Sequence, residues 1–414
     1  MSEAGSRSAF SLLRNRGYAA VLAYRICALL SYQIVAVTVG WHIYELTRDP
    51  FSLGLVGLAE VLPFFCVAPF AGYLVDHLPR RRTGMIACGA LATTAVILVA
   101  VAAGALPFQG TWPIYAAIAL TGMARSFLSP VYNALFARVL PREDFVRAAG
   151  LGSVIFQAAL VTGPALGGLL VGFGGKTLSY AMAVVFALLA GIVLARLRVE
   201  EPGPPAVSLP VFASIAQGAR FVWNNQIMLG AMALDMFSVL LGGVVAMLPA
   251  FIHDILHHGP EGLGILRAMP AAGSVCVGLW LARHPLQQHA GRVLLFAVAG
   301  FGLAVIAFGL SRSFWLSAAI LLFYGMCDGV SVVVRSTILQ LSTPDEMRGR
   351  VSSINGGIFV SSSNELGAFY AGTMARLLGL VPAVILGGFA ILSVAGITAW
   401  KAPRLRRLDL RELQ

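Results

Sequence analysis

Residues 84–106 read GMIACGALATTAVILVAVAAGAL and lie just after the basic run Arg80-Arg81-Arg82. The segment contains no charged side chain. About 20 apolar residues in a helix are enough to cross the roughly 30 Å hydrocarbon layer of a bilayer. The segment therefore predicts a transmembrane helix with a basic flank.

Segments of the same kind recur along the whole chain of 414 residues, which is 58% hydrophobic and 11% charged with a mean hydropathy of +0.84. Soluble domains carry about 25% charged residues, and a water-soluble fold cannot bury so much apolar surface. We therefore expect an all-α membrane protein of twelve transmembrane helices in two pseudo-symmetric six-helix bundles. Hydropathy places the helices near residues 18–46, 53–76, 84–106, 112–137, 146–173, 177–195, 226–253, 262–282, 292–310, 314–340, 350–375 and 381–400.

The longest polar break runs from Arg196 to about Gln226 and divides the chain into halves. We expect an N-terminal bundle at 1–195, a cytoplasmic linker at 196–225, a C-terminal bundle at 226–400 and a cytoplasmic tail at 401–414. Short motifs recur in both halves, which indicates an internal duplication. The pairs are Gly122-Met123 with Gly325-Met326, Pro141-x-Glu143-x3-Arg147 with Pro344-x-Glu346-x3-Arg350, Ile155-Phe156 with Ile358-Phe359, and Pro50-x2-Leu53-Gly54 with Pro260-x2-Leu263-Gly264.

The distribution of charge predicts the topology. Most lysines and arginines lie at the termini and in the even-numbered loops, whereas the opposite loops hold only Arg48, Lys176, Arg312 and Arg376. By the positive-inside rule both termini of this multi-pass membrane protein are expected to be cytoplasmic. The net charge of +11 lies in short runs between apolar segments rather than along one face, so we do not expect nucleic acid as a partner.

The loop after the second predicted helix, residues 72–82, reads GYLVDHLPRRR. It resembles the signature loop G-x-L-x-D-R-x-G-R-R of the major facilitator superfamily. The resemblance implies a role in gating for Gly72, Asp76, Arg80 and Arg81. The alternative is a helix cap beside topology-setting arginines.

A second motif lies in the fifth predicted helix, where residues 162–168 read TGPALGG. Small residues permit close helix packing, and a proline loosens the backbone hydrogen bonds, so a hinge is expected. The motif resembles the G-P-x-x-G-G element of antiporters in the same superfamily, which favours export. Tight packing without a hinge is the alternative for Gly163, Pro164, Gly167 and Gly168.

Four further sequence segments resemble a narrower group, the bacterial siderophore (enterobactin) exporters. They are residues 41–47, 53–58, 343–351 and 363–368. The resemblance implies a secondary active transporter of the bacterial inner (plasma) membrane, with proton-coupled efflux of a small organic solute such as a siderophore, drug or metabolite. An uptake symporter, a polytopic membrane enzyme and a sensor are the alternatives. We find no G-x-x-x-x-G-K-[ST] loop for ATP, no H-E-x-x-H and no G-x-S-x-G, so we expect no enzyme and no cofactor. A monomer in the lipid bilayer is expected, with a small-molecule solute and protons as partners.

Ionisable residues within the predicted helices indicate where the mechanism lies, because each is costly in hydrocarbon unless it is paired or hydrated. Burial favours protonation of a carboxylate, so a proton site is one interpretation and a static ion pair the other. The repeat places Arg125 opposite Asp328 and Arg25 opposite Asp235, and Arg335 is expected to bind an anionic solute or to pair with Asp328 through water. The predicted solute or proton path comprises Arg25, Glu60, Arg125, Asp235, Asp328, Arg335 and Glu365.

Two sets of residues are expected to play other roles. His42 is expected to be a polar residue that lines a cavity, with a proton relay as the alternative, and Arg267 is expected to extend to water from near the outer face. His253 and His257 are one helical turn apart, but a solvated loop is favoured over a metal site. The five cysteines have unrelated spacings within apolar segments, so neither a disulfide framework nor a zinc site is expected.

Overall fold

The computed structural model describes residues 9–105, 110–199, 211–284, 288–344, 347, 351, 355, 359–360 and 362–409. Within these ranges every regular element is a helix. The Pro-rich part of the predicted linker and most of the repeated motif at 344–350 lie outside the described residues.

The N-terminal half consists of long apolar helices after a short 3-10 turn, Ala9–Arg14. The two predicted helices at 146–173 and 177–195 form one continuous element with a kink at Gly175, where φ is 74° and ψ is 175°. Glycine adopts this backbone conformation without steric cost, so the chain reverses with almost no loop. The helices are α1 (Arg16–Thr47), α2 (Pro50–His77), α3 (Arg80–Ala102), α4 (Trp112–Val139) and α5 (Phe145–Arg196).

The C-terminal half begins with an amphipathic helix and continues with apolar ones. The seventh predicted helix is interrupted at Gly243, where φ is 25°, and it ends in a π-helical turn at Ile252–Leu256. The helices are α6 (Val211–Asn224), α7 (Gln226–Gly242), α8 (Val244–Phe251), α9 (Pro260–Arg283), α10 (Ala290–Leu310), α11 (Phe314–Ser342), α12 (Ser362–Leu378), α13 (Leu380–Lys401) and α14 (Pro403–Arg406).

The predicted count of twelve spans agrees with these helices. In the described part of the chain, 10 helical segments are long and apolar enough to cross a membrane. One of them, α5, contains both arms of the Gly175 kink. Helix α12 is the described part of the eleventh predicted span, whose earlier residues are only partly described.

Contacts divide the chain into two compact units, Met1–Thr38 with Leu62–Ser208 and Val39–Val61 with Leu209–Gln414. The domain boundaries predicted from the sequence remain a prediction. In the first unit α3 packs against both α4 and α5. Gly84 permits this, because a Cβ there would lie 2.6 Å from the Leu194 side chain and 2.8 Å from that of Val131.

The second unit contains the C-terminal helices together with the part of the chain around the turn between α1 and α2. Helix α12 packs against the first half of α2 and against α7. A Cβ on Gly57 would lie 2.6 Å from the Glu365 carbonyl oxygen, and one on Gly367 would lie 2.9 Å from that of Val239. Small residues therefore let these backbones approach closely, as is common between membrane helices.

The α9–α11 contact provides a test of this packing. A Cβ on Gly273 would lie 2.1 Å from the backbone oxygen of Leu322, whereas one on Gly278, five residues further along α9, would meet nothing within 4 Å. We expect Gly273→Ala to destabilise the protein by about 1–3 kcal/mol, because backbone cannot move aside as a flexible side chain does. Gly278→Ala is the matched control and should have no such effect. Equal heat resistance of the two variants in detergent, measured by size-exclusion chromatography after heating, would contradict this packing.

Candidate functional site

In the second unit, Asp235 on α7 and Arg335 on α11 form an ion pair. Both residues are buried, with 6% and 5% of their surfaces exposed. Removing two charges from water is costly, and breaking such a pair by removing one partner typically costs about 3–5 kcal/mol. The pair therefore holds α7 and α11 together while both charges are present.

Two further polar residues lie on α11 near this pair. Asp328, Ser331 and Arg335 have the spacing i, i+3 and i+7, which places them on one face of the helix over roughly 10 Å. Asp328 is partly buried and has neither an ion pair nor a hydrogen bond within the described residues. The hydroxyl of Ser331 is buried and, within the same part of the chain, lacks a hydrogen-bond partner. The polar face thus places the Asp328 carboxylate and the ion pair on the same side of α11.

Ser331 was not among the residues predicted from the sequence. Serine is common in membrane helices, and a single serine carries little information. The one signal in the sequence that could have indicated Ser331 was its position between Asp328 and Arg335 on the same helical face. The sequence suggested Asp328 as a partner for Arg335 through water, whereas the direct partner in the structure is Asp235.

The two predicted arginines of the first unit contact aromatic rings. The guanidinium of Arg25 lies 4.1 Å from the ring centre of Tyr132 and 4.3 Å from that of Phe156. Arg125 lies 4.5 Å from the ring centre of Tyr32. Such cation–π contacts stabilise a guanidinium inside a helical bundle. The pairing of Arg25 and Arg125 with acidic residues of the other half remains a prediction.

The two predicted glutamates lie near the contact between α2 and α12. Glu60 is 5% exposed, and Glu365 is partly buried in the first turn of α12. Gly57, three residues before Glu60, is where α2 approaches the backbone of Glu365. Their predicted role in a solute or proton path remains a prediction.

The antiporter-like motif of α5 packs against α1. A Cβ on Gly163 would lie 2.7 Å from Cβ of Gln33, and one on Gly167 would lie 3.2 Å from Cα of Ile34. Helix α5 continues through Pro164, and both Pro164 and Gly168 are buried. These glycines therefore make a close helix contact, and bending at this motif during transport remains a prediction.

The signature-like loop lies between α2 and α3 in the first unit. Arg81 donates a hydrogen bond from Nη1 to the Leu197 carbonyl oxygen at 2.9 Å, which connects the start of α3 with the end of α5. Arg80 is partly buried, and a Cβ on Gly72 would meet nothing within 4 Å. The side chain of Asp76 lies outside the described part of the structure. The gating role of this loop remains a prediction.

A polar cluster forms near the turn between α1 and α2, within the second unit. The Tyr44 hydroxyl donates to Asp254, whose other carboxylate oxygen lies 2.6 Å from Nδ1 of His253. Nη1 of Arg48 lies 2.6 Å from the same imidazole nitrogen. The side chains of His253 and Asp254 are 39% and 45% exposed, so each such pair contributes at most about 1 kcal/mol. No group of residues that could hold a metal ion occurs in the described ranges.

Residues 21–368 match the sequence model of the Major Facilitator Superfamily. This chain belongs to the major facilitator superfamily. The chain is 25% identical over 391 residues to the multidrug efflux pump Tap of Mycolicibacterium fortuitum, and the alignment covers 91% of this chain and 93% of that protein. It is 24% identical over 402 residues to the enterobactin exporter EntS of Shigella boydii serotype 18, covering 96% and 94%.

Solved structures of other transporters have a similar fold. A point mutant of the nucleoside transporter NupG aligns with a TM-score of 0.71 at 13% identity, over 92% of this chain and 99% of that one. A bacterial homologue of the human lysosomal transporter Spinster, in an inward-facing and unoccupied conformation, aligns with a TM-score of 0.68 at 14% identity, over 99% and 98%. At these identities the likeness shows the fold alone.

These findings confirm the predicted superfamily and the all-α fold of transmembrane helices. The protein is therefore a multi-pass transporter of the bacterial inner membrane that moves a small solute. The match to the superfamily and the similarity to efflux pumps identify it as a secondary active transporter.

Proposed function

We propose that this transporter exports an amphipathic organic solute across the inner membrane in exchange for protons. The observation that carries the proposal is the buried pair of Asp235 and Arg335, with Asp328 on the same face of α11 as Arg335 and without an ion pair among the described residues. Buried ionisable groups in membrane helices mark substrate and proton paths. The two relatives described above are an efflux pump and an exporter, and each aligns over more than nine-tenths of this chain.

The arrangement supports a simple coupling step. When Asp328 is ionised, its charge and that of Asp235 both attract Arg335, and water beside the Ser331 hydroxyl is able to bridge the two turns of α11. When Asp328 is protonated, only Asp235 attracts Arg335. Protonation therefore changes how firmly α11 is held to α7, inside one of the two halves that rearrange during an alternating-access cycle.

The solute class follows from the charged residues and the relatives together. Arg335 supplies a cation for which an acidic group on the solute competes with Asp235. The efflux pump and the exporter among the relatives support an organic solute such as a siderophore, drug or related metabolite. We further propose that the protein works as a monomer with both termini cytoplasmic, that it has no enzymatic activity and that it binds no nucleic acid.

Transport direction is tested in everted membrane vesicles, whose lumen corresponds to the outside of the cell. With an acidic lumen, vesicles containing the protein should accumulate the exported member of a siderophore and drug panel several-fold above vesicles without it. A protonophore should abolish the difference, because proton flow out of the lumen drives accumulation. Accumulation only in right-side-out vesicles under an outside-acid gradient would indicate an uptake symporter. If the solute merely equilibrates across the membrane, to the same level with and without the pH gradient, proton coupling would be refuted.

A further inference from the structure

The C-terminal segment after α13 is fixed to the rest of the second unit. Leu405 in α14 is 1% exposed and Leu408 is 3% exposed. The backbone oxygen of Leu405 lies so close to Gly291 at the start of α10 that a Cβ there would be 1.7 Å away. The amide of Gly291 also donates to the Leu408 carbonyl oxygen at 3.3 Å. The segment is therefore held beside the first turn of α10 as a defined surface.

The side chains that this segment presents outward are basic. Arg404, Arg406 and Arg407 are exposed around the buried Leu405, and Asp409, which is partly buried, is the acidic residue that follows them. Exposed Lys401 ends α13, and exposed Arg292 is in the first turn of α10. We call the surface formed by Arg292, Lys401, Arg404, Arg406 and Arg407 the basic end.

Two exposed tryptophans lie close to the basic end. Trp400 at the end of α13 is 78% exposed, and Trp223 at the end of α6 is 73% exposed. Val222, next to Trp223, is 1% exposed and packs with Met228 of α7, which fixes the end of α6 to the bundle. Tryptophan is enriched where membrane helices meet the headgroup layer. We therefore expect the basic end to lie at the depth of lipid phosphates.

A cleft joins these features. It has a volume of about 400 Å³ and lies between the end of α6, the start of α7 and α14. Its lining combines one guanidinium, three side-chain amides and two apolar side chains. The residues are Phe221, Asn224, Asn225, Gln226, Ile227 and Arg404.

We propose that this cleft and the basic end bind the headgroup of an anionic phospholipid such as phosphatidylglycerol. Arg404 and the amide groups supply donors for phosphate and glycerol oxygens. Phe221 and Ile227 suit the first methylenes of an acyl chain, which free phosphate lacks. Arginines that only set the membrane topology require neither a cleft nor a backbone held in place. Specific binding of phosphatidylglycerol to this cleft would therefore distinguish a lipid site from a topology signal.

The test compares lipid binding to the full-length protein in detergent by native mass spectrometry, with phosphatidylglycerol and phosphatidylcholine as probes. Wild type should retain phosphatidylglycerol in preference to phosphatidylcholine. A juxtamembrane basic residue near the surface typically changes affinity by roughly fivefold, so Arg404→Gln with Arg406→Gln should weaken phosphatidylglycerol binding by about an order of magnitude. Both side chains are exposed, so folding should be unaffected.

Arg312→Gln is the matched control, because Arg312 is exposed just after the far end of α10. It should leave phosphatidylglycerol binding unchanged. Equal weakening by Arg312→Gln, or unchanged binding in the Arg404 and Arg406 variant, would overturn the proposed site. Displacement of the lipid by millimolar inorganic phosphate would also overturn it, because the cleft would then be a site for a free anion.

Discussion

Asp235→Asn is expected to abolish transport and to destabilise the protein by about 3–5 kcal/mol. The change leaves the guanidinium of Arg335 buried, at 5% exposure, without its carboxylate. The measurements are solute accumulation in everted vesicles and heat resistance in detergent. Arg335→Gln should produce the same two losses, because it leaves the Asp235 carboxylate buried and unpaired.

The double variant separates stability from function. Asp235→Asn combined with Arg335→Gln removes both charges and should recover most of the lost heat resistance, since neither buried charge remains unpaired. Transport should stay absent, because the charges that respond to the proton and the solute are gone. Recovery of full transport in the double variant would show that the ion pair serves only to hold α7 and α11 together.

Asp328→Asn is expected to lower accumulation driven by a pH gradient at least tenfold while the folded protein remains. Asparagine has nearly the same shape as aspartate but does not exchange a proton, and Asp328 has no ion-pair partner in the described residues that would be left behind. Exchange of labelled for unlabelled solute, which needs no net proton movement, should persist. Accumulation and exchange in vesicles, each with and without the gradient, measure the two effects.

The control for Asp328 is Glu143→Gln, which neutralises an exposed carboxylate just before α5. It should leave both accumulation and exchange unchanged. Asp328→Glu should retain part of the coupled activity. An Asp328→Asn protein that still accumulates solute in response to pH would remove Asp328 as the proton carrier.

The helices of this protein were predictable because membrane insertion is a local property. A run such as residues 84–106 must span hydrocarbon as a helix, since its backbone polar groups have no other partners there. The break near Gly175 was predictable for a related reason, because the short interruption holds glycine and a lysine. The reversal within a single kinked element depends on the φ of Gly175, which only the structure supplies.

The candidate site was predicted residue by residue but not as an arrangement. The free-energy cost of placing a charged side chain in hydrocarbon was enough to select Asp235, Asp328 and Arg335 from the sequence. Their partners were not evident, because residues 100 positions apart meet only through the packing of α7 on α11. The polar cluster of Tyr44, Arg48 and Asp254 was missed for the same reason.

The sequence by itself determined that the chain spans a membrane many times, that its halves share short motifs and which charges within the helices need an explanation. Each of these follows from the free energy of one segment or one side chain in hydrocarbon, or from motifs that repeat along the chain. Only the tertiary structure decided that Arg335 pairs with Asp235 while Asp328 has no ion pair in the described residues, and that the basic C-terminal segment is held beside α10. Those outcomes depend on which helices approach closely, and close approach is set by glycines such as Gly273 and Gly291 meeting a backbone from elsewhere in the chain.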